Sequence, residues 1–136
     1  MDKPIRILFL CTGNSCRSQM AEGWANHLGK GKVDAYSAGV SPTDVVPETV
    51  DVMAEAGVDI SAQRSKAADI FVGDEFDYII TLCDNARENC PYFPGEAKRL
   101  HWPIDDPYHR GREAYRRARD EIRRRLDELL AEVWGG

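Results

Sequence analysis

Residues 5–18 read Ile-Arg-Ile-Leu-Phe-Leu-Cys-Thr-Gly-Asn-Ser-Cys-Arg-Ser. The run up to Leu10 is apolar with hardly any alternation, the pattern of a parallel strand buried on both faces. It stops at a polar turn containing Gly13. Met20, Trp24 and Leu28 then recur every four residues and mark one face of a helix, which Gly29 closes. In a turn between strand and helix, successive backbone N–H groups can curl inward and, with the helix N-terminus, bind a tetrahedral oxyanion. The pattern Cys-x5-Arg is weak alone and becomes specific in this setting.

The residue types in that turn suit the chemistry. Arg17 can close the cradle with a bidentate grip on two oxygens. Gly13 is expected to supply backbone geometry that other residues resist. Cys11 sits at the floor, where helix N-termini and guanidinium groups favour an ionised thiol. It is therefore expected to be a thiolate poised for in-line attack, with Ser18 placed to donate to it. The expected oxyanion-binding set is Thr12, Gly13, Asn14, Ser15, Cys16, Arg17 and Ser18.

Outward from this stretch, strands and helices alternate. Val33–Ala38 reads as a second strand closed by Gly39. Pro47 starts a helix that buries Val50, Met53 and Ala54 and ends at Gly57. Ser65 is placed to cap a short helix over 66–72. Phe76–Leu82 is a third strand and Lys98–Trp102 a weaker fourth. Tyr115, Ala118, Ile122, Leu126, Leu129 and Val133 stripe a long last helix. Its outer face offers i,i+4 pairs of Glu113 with Arg117, Asp120 with Arg124 and Glu121 with Arg125. The expected fold is α/β: a doubly wound four-stranded parallel sheet flanked by helices, in one domain spanning 1–136. Ligands of such sheets sit beyond the carboxyl ends of the strands, so Cys11 and Cys83 should share a rim.

The 136 residues suit one core, and 43% hydrophobic with 30% charged residues point to a globular chain. A net charge of −5 disfavours general nucleic-acid binding. Met1–Arg6 lead into an apolar run far short of a spanning helix and without a small-residue cleavage pattern, so a cytoplasmic, membrane-free protein is expected. Four cysteines (Cys11, Cys16, Cys83, Cys90) in a reducing compartment suggest chemistry, a metal or ordinary burial.

Two further motifs stand out. Asp105-Asp106-Pro107 can present a general acid to a leaving oxygen, although read alone it is more often a turn. Cys83 and Cys90 enclose six residues, neither a Cys-x-x-Cys nor a standard zinc spacing, and a zinc site made from all four thiols is disfavoured. Two unremarkable cysteines are the bland alternative. The polar stretch between them would let a mobile loop carry Cys90 toward Cys83.

Residues 11–24, Thr81–Asp84, Glu88–Pro91 and His101–Pro107 together resemble the thioredoxin-coupled arsenate reductases, which share the low-molecular-weight protein tyrosine phosphatase fold. The resemblance covers nearly the whole chain. It implies that Cys11 attacks arsenate while Asp106 protonates the departing hydroxide and Arg17 holds the oxyanion. Cys83 then attacks Cys11, arsenite leaves, Cys90 attacks Cys83, and thioredoxin reduces the final disulfide. Phosphate and sulfate would compete with arsenate. Some members of that family bind a monovalent cation with ligands aligning with Asn14, Glu22 and Ser37. Lys66 stands where a carboxylate ligand is expected, so no metal is predicted here. Cys16 has an equivalent in the phosphatases that can protect the nucleophile, and is given no step in the relay.

The competing reading is a phosphotyrosine phosphatase with the same cradle, nucleophile and acid. Cys83 and Cys90 would then be idle, and Ser41–Val45 offers no aromatic to stack on a phenol. Tyr108 after Pro107 favours it; His109 stands where a second aromatic is usual. A nucleic-acid-binding regulator is a third class, but Arg116–Arg125 is interleaved with acids and reads as a solvated face. His27 is expected to be exposed, His101 to be satisfied in a strand, and His109 to lie near the acid loop. No organic cofactor is expected, and the protein should be monomeric.

Overall fold

The computed structural model describes residues 3–93 and 95–134; the Met1-Asp2 start, read as free of a secretory signal, lies outside them. The elements are β1 (Ile5–Cys11), α1 (Arg17–Leu28), β2 (Val33–Gly39), α2 (Pro47–Glu55), a 3-10 turn (Ala68–Phe71), β3 (Tyr78–Thr81), α3 (Asp84–Glu88), β4 (Lys98–His101) and α4 (Arg112–Trp134). The sheet order is β2-β1-β3-β4, and every pairing is parallel.

β1 is central, and Ile7, Leu8, Phe9 and Leu10 have no exposed surface. Its side chains divide between two cores, which explains the unbroken apolar run. Ile7, Phe9 and Cys11 pack with Met20 and Trp24 of α1, Val52 and Met53 of α2, and Ile122 and Leu126 of α4. Leu8 and Leu10 pack on the other face with Phe71, Phe76, Ala86 and Phe93. Each fully buried side chain of this kind contributes about 1.5–3 kcal/mol. Gly23 is required where α1 meets the 58–60 segment, since a Cβ there would lie 2.5 Å from Ile60 Cγ2. Trp24 Nε1 donates to Arg119 O at 3.0 Å, joining α1 to α4.

Several local expectations are corrected. Ser65 caps no helix: its hydroxyl donates to Asn14 O at 2.7 Å, and only the short 3-10 turn follows. The third and fourth strands are shorter than the stretches Phe76–Leu82 and Lys98–Trp102. Residues 84–88, read as part of a mobile polar loop, form α3. Of the three ion pairs expected on α4, Glu121–Arg125 forms at 3.1 Å. Arg124 instead grips Glu121 and Glu128, Glu113 pairs with Arg116, and Asp120 with Arg119. Arginine's long fork reaches i+3 as readily as i+4. Among the described residues no helix is long and apolar enough to cross a membrane.

Candidate active site

β1 and β3 lie side by side where the strand order reverses, and the loop 12–16 leaves the carboxyl end of β1 there. Its backbone is turned inside out by its surroundings. Cys11 O, Thr12 O, Gly13 O and Ser15 O accept from the amides of Val40, Ser41, Thr43 and Val46. Asn14 O accepts from Gln19 Nε2 and Ser65 Oγ, and Cys16 O from Met20 N. With the carbonyls held outward, the amides of residues 13–17 donate to no acceptor among the described residues. A ring of free N–H groups at a helix start is an anion site.

The conformationally special residue is Asn14, not Gly13 as expected. Asn14 has φ 50°, in the left-handed region, whereas Gly13 does not. Its side chain holds it there, with Nδ2 donating to Ser18 Oγ (2.7 Å) and Ser37 Oγ (2.9 Å) and Oδ1 accepting from Lys66 N (2.8 Å). The glycine that matters is Gly39, which local pattern reading treated as a strand end. A Cβ there would lie 2.6 Å from Thr12 O and 2.9 Å from Asn14 N, so only glycine lets β2 back the loop this closely.

Those contacts fix the direction of a hydrogen-bonded chain. Ser37 Oγ donates to Glu22 Oε1 at 2.6 Å and accepts from Asn14; Lys66 Nζ lies 3.6 Å from the same Glu22 oxygen. Ser18 also accepts from Asn14, which leaves its proton for Cys11 Sγ, 2.8 Å away. Asn14, Ser18 and Ser37 have no exposed surface. Burial pushes the Cys16 thiol up, against the pull of the Thr49 and Ser15 hydroxyls.

Cys11, Thr12, Gly13, Ser15, Cys16, Arg17 and Asp106 line one cleft of about 450 Å³, completed by residues 43–47 and Tyr108. Arg17 Nη1 donates to Ile104 O (3.0 Å), and its Nη2 lies 3.8 Å from Asp106 Oδ2. The Asp106 side chain is 57% exposed, and its Oδ1 accepts from Tyr108 N. His109 lies against Tyr108, with ring centroids 3.9 Å apart and the planes tilted by 40°. As expected, His27 is exposed.

Cys83 meets the same rim. Its Sγ lies 3.4 Å from Thr12 Oγ1 and accepts from Ala86 N at 3.4 Å. Thr12 Oγ1 accepts from Asn85 Nδ2 at 2.9 Å, so its proton is free to point at the sulfur. Cys90 is not brought into this cluster. Its thiol donates to Pro91 O, sits against the second core, and is pushed up chiefly by burial. All four cysteines are free thiols.

A strand–loop–helix anion cradle with a floor cysteine and a closing arginine defines a cysteine-nucleophile oxyanion enzyme. The chain belongs to the low molecular weight phosphotyrosine protein phosphatase family, which it matches over residues 6–134. Its relatives narrow the comparison. An arsenate reductase from Bacillus licheniformis is 52% identical over 102 residues, 74% of this chain and 73% of that one. The solved structure of an arsenate reductase in the phosphate binding state superposes with a TM-score of 0.82 at 35% identity, covering 94% of this chain and 98% of that one. A thioredoxin-dependent arsenate reductase from Corynebacterium glutamicum aligns with a TM-score of 0.77 at 28% identity, covering 98% of this chain and 64% of that one.

Proposed function

We propose that the chain reduces arsenate to arsenite and is regenerated by thioredoxin. Cys11 attacks the arsenic, hydroxide leaves, and Asp106 gives it a proton. Arg17 and the amides of residues 13–17 hold the remaining oxygens throughout. Cys83 then attacks Cys11 Sγ. The sulfur–arsenic bond breaks, its electron pair stays on arsenic, and arsenite departs from a Cys11–Cys83 disulfide. Cys90 attacks Cys83, Cys11 leaves as thiolate, and thioredoxin reduces Cys83–Cys90. Exchange of this kind favours a leaving thiol that is readily ionised.

The single observation that carries this reading is Cys83 Sγ held 3.4 Å from Thr12 Oγ1, one residue from the nucleophile. Hydrolysis of a phosphate ester needs no second thiol there. The third thiol has a physical purpose: a protein reductant cannot enter a recessed cradle, and Cys90 moves the oxidation outward. Four free thiols fit a reducing compartment, and we place the protein in the cytoplasm as a monomer.

Arsenite released in the absence of any reductant tests this reading. The native chain should release about one equivalent and stop, and Cys11→Ser none. Hydrolysis of an aryl phosphate through Cys11 with no arsenite would make the chain a phosphatase, the activity its family name describes.

A further inference from the structure

One chain of side chains outside the cleft takes no part in the steps above. Thr81, the last residue of β3, places Oγ1 2.7 Å from His101 Nδ1. His101, the last residue of β4, places Nε2 3.0 Å from Asp84 Oδ1. Asp84 opens α3 directly after Cys83. Two strand ends thus grip the first helical residue beyond the second thiol. With a neutral imidazole, Thr81 donates to Nδ1 and the Nε2–H donates to the carboxylate. With a protonated imidazole both ring nitrogens donate, and Thr81 turns its proton to Leu100 O, 3.5 Å away. The grip holds in either charge state.

The segment it grips comes under tension as the relay finishes. α3 itself is five residues, but Arg87 N donates to Cys83 O and Asn89 N to Asn85 O, so helical hydrogen bonding runs from Cys83 to Asn89 and rises about 9 Å from the first Cα to the last. A disulfide allows at most about 6.8 Å. Joining Cys83 to Cys90 therefore pulls against α3 and favours its opening.

We propose that the Thr81–His101–Asp84 chain is a latch that holds α3 in its helical, dithiol form and lets go when Cys83 joins Cys90, so that His101 and Asp84 are positioning residues for the relay's last internal step. This rests on the relay reading above. A contact made in one state only stabilises that state. The latch therefore favours the dithiol, eases reduction of the Cys83–Cys90 pair by an outside dithiol, and opposes premature disulfide formation. The exchange itself balances: the Cys90 thiolate bonds to Cys83 Sγ, and Cys11 leaves with the electron pair of the broken bond.

The test is a redox titration of the full chain carrying Cys11→Ser and Cys16→Ser, which leaves only the Cys83–Cys90 pair. It is equilibrated with dithiothreitol of varied oxidation state and read by thiol alkylation and mass. Asp84 is 71% exposed, so its replacement leaves the core intact. Asp84→Ala should raise the equilibrium constant for disulfide formation by about three- to tenfold, a shift of about 14–30 mV to more negative potential. His101→Gln added to Asp84→Ala should shift it no further. Asp84→Asn, which keeps the acceptor but loses the charge, should stay within about twofold of the parent. An unshifted Asp84→Ala overturns the latch, and so does a double variant whose shift is the product of the two single ones. Failure of the parent pair to form a disulfide at any ratio overturns the relay reading itself and the latch with it.

Discussion

Ser18 Oγ lies 2.8 Å from Cys11 Sγ, and Asn14 Nδ2, 2.7 Å away, occupies the hydroxyl's acceptor side, so the Ser18 proton is aimed at the sulfur. A hydrogen bond to a charged group contributes about 1.5–3 kcal/mol. Ser18→Ala should therefore lower the arsenate-dependent kcat by about ten- to a hundredfold, while phosphate affinity changes little because the amide ring is untouched. Steady-state kinetics with phosphate as competitor check this. A loss confined to KM would mean that Ser18 shapes the anion site instead.

Gly39→Ala should damage the cradle from behind. The added Cβ overlaps Thr12 O and Asn14 N, which are backbone atoms and cannot swing aside. Overpacking of this kind costs about 1–3 kcal/mol. The expected result is a lower urea midpoint together with at least a tenfold weaker phosphate affinity, measured by calorimetry. Native affinity in the variant would show that the loop tolerates displacement.

Much of the fold was legible because its signals were local. Burial of β1 on both faces left Ile7–Leu10 as a continuous apolar run, and α4 kept its three-four stripe from Tyr115 to Val133. The nucleophile loop was legible because strand, turn and helix follow one another directly. What escaped was set by distant partners or unusual caps. α3 is only five residues long and is capped by a sulfur, Cys83, which is outside the usual capping set. Asn14 takes the left-handed backbone attributed to Gly13, because contacts with Ser18, Ser37 and Lys66 hold it. Gly39 is close to the loop only in three dimensions. His101 was read as a satisfied strand histidine, and only the structure shows that Thr81 and Asp84 satisfy it.

Stability should fall on the alkaline side. Burial raises the Cys16 and Cys90 thiols and the Tyr115 hydroxyl above their ordinary values. Above the ordinary thiol value of about 8.5, the folded chain keeps protons that the unfolded chain gives up. Stability is therefore intact below that pH and is lost as pH rises beyond it. Urea midpoints under reducing conditions should be lower at pH 9.5 than at pH 7.5, and Cys16→Ala should narrow the difference. An equal or higher midpoint at pH 9.5 contradicts this.

Lys66 Nζ donates to Arg64 O at 2.6 Å and lies 3.6 Å from Glu22, whose carboxylate accepts from Ser37 behind the loop. The ammonium places a positive charge beside this network. Turnover should therefore be the same in potassium and in choline salts at equal ionic strength, and Lys66→Gln should lower both the urea midpoint and turnover. Several-fold stimulation of the native chain by potassium would show that the ammonium does not fill that role.

The most direct test follows NADPH oxidation with thioredoxin and thioredoxin reductase, with and without arsenate, for the native chain, Cys83→Ser and Cys90→Ser. The three-thiol account predicts arsenate-dependent turnover in the native chain and none in either variant. Sustained turnover in Cys90→Ser, or a native chain that ignores arsenate, would contradict it.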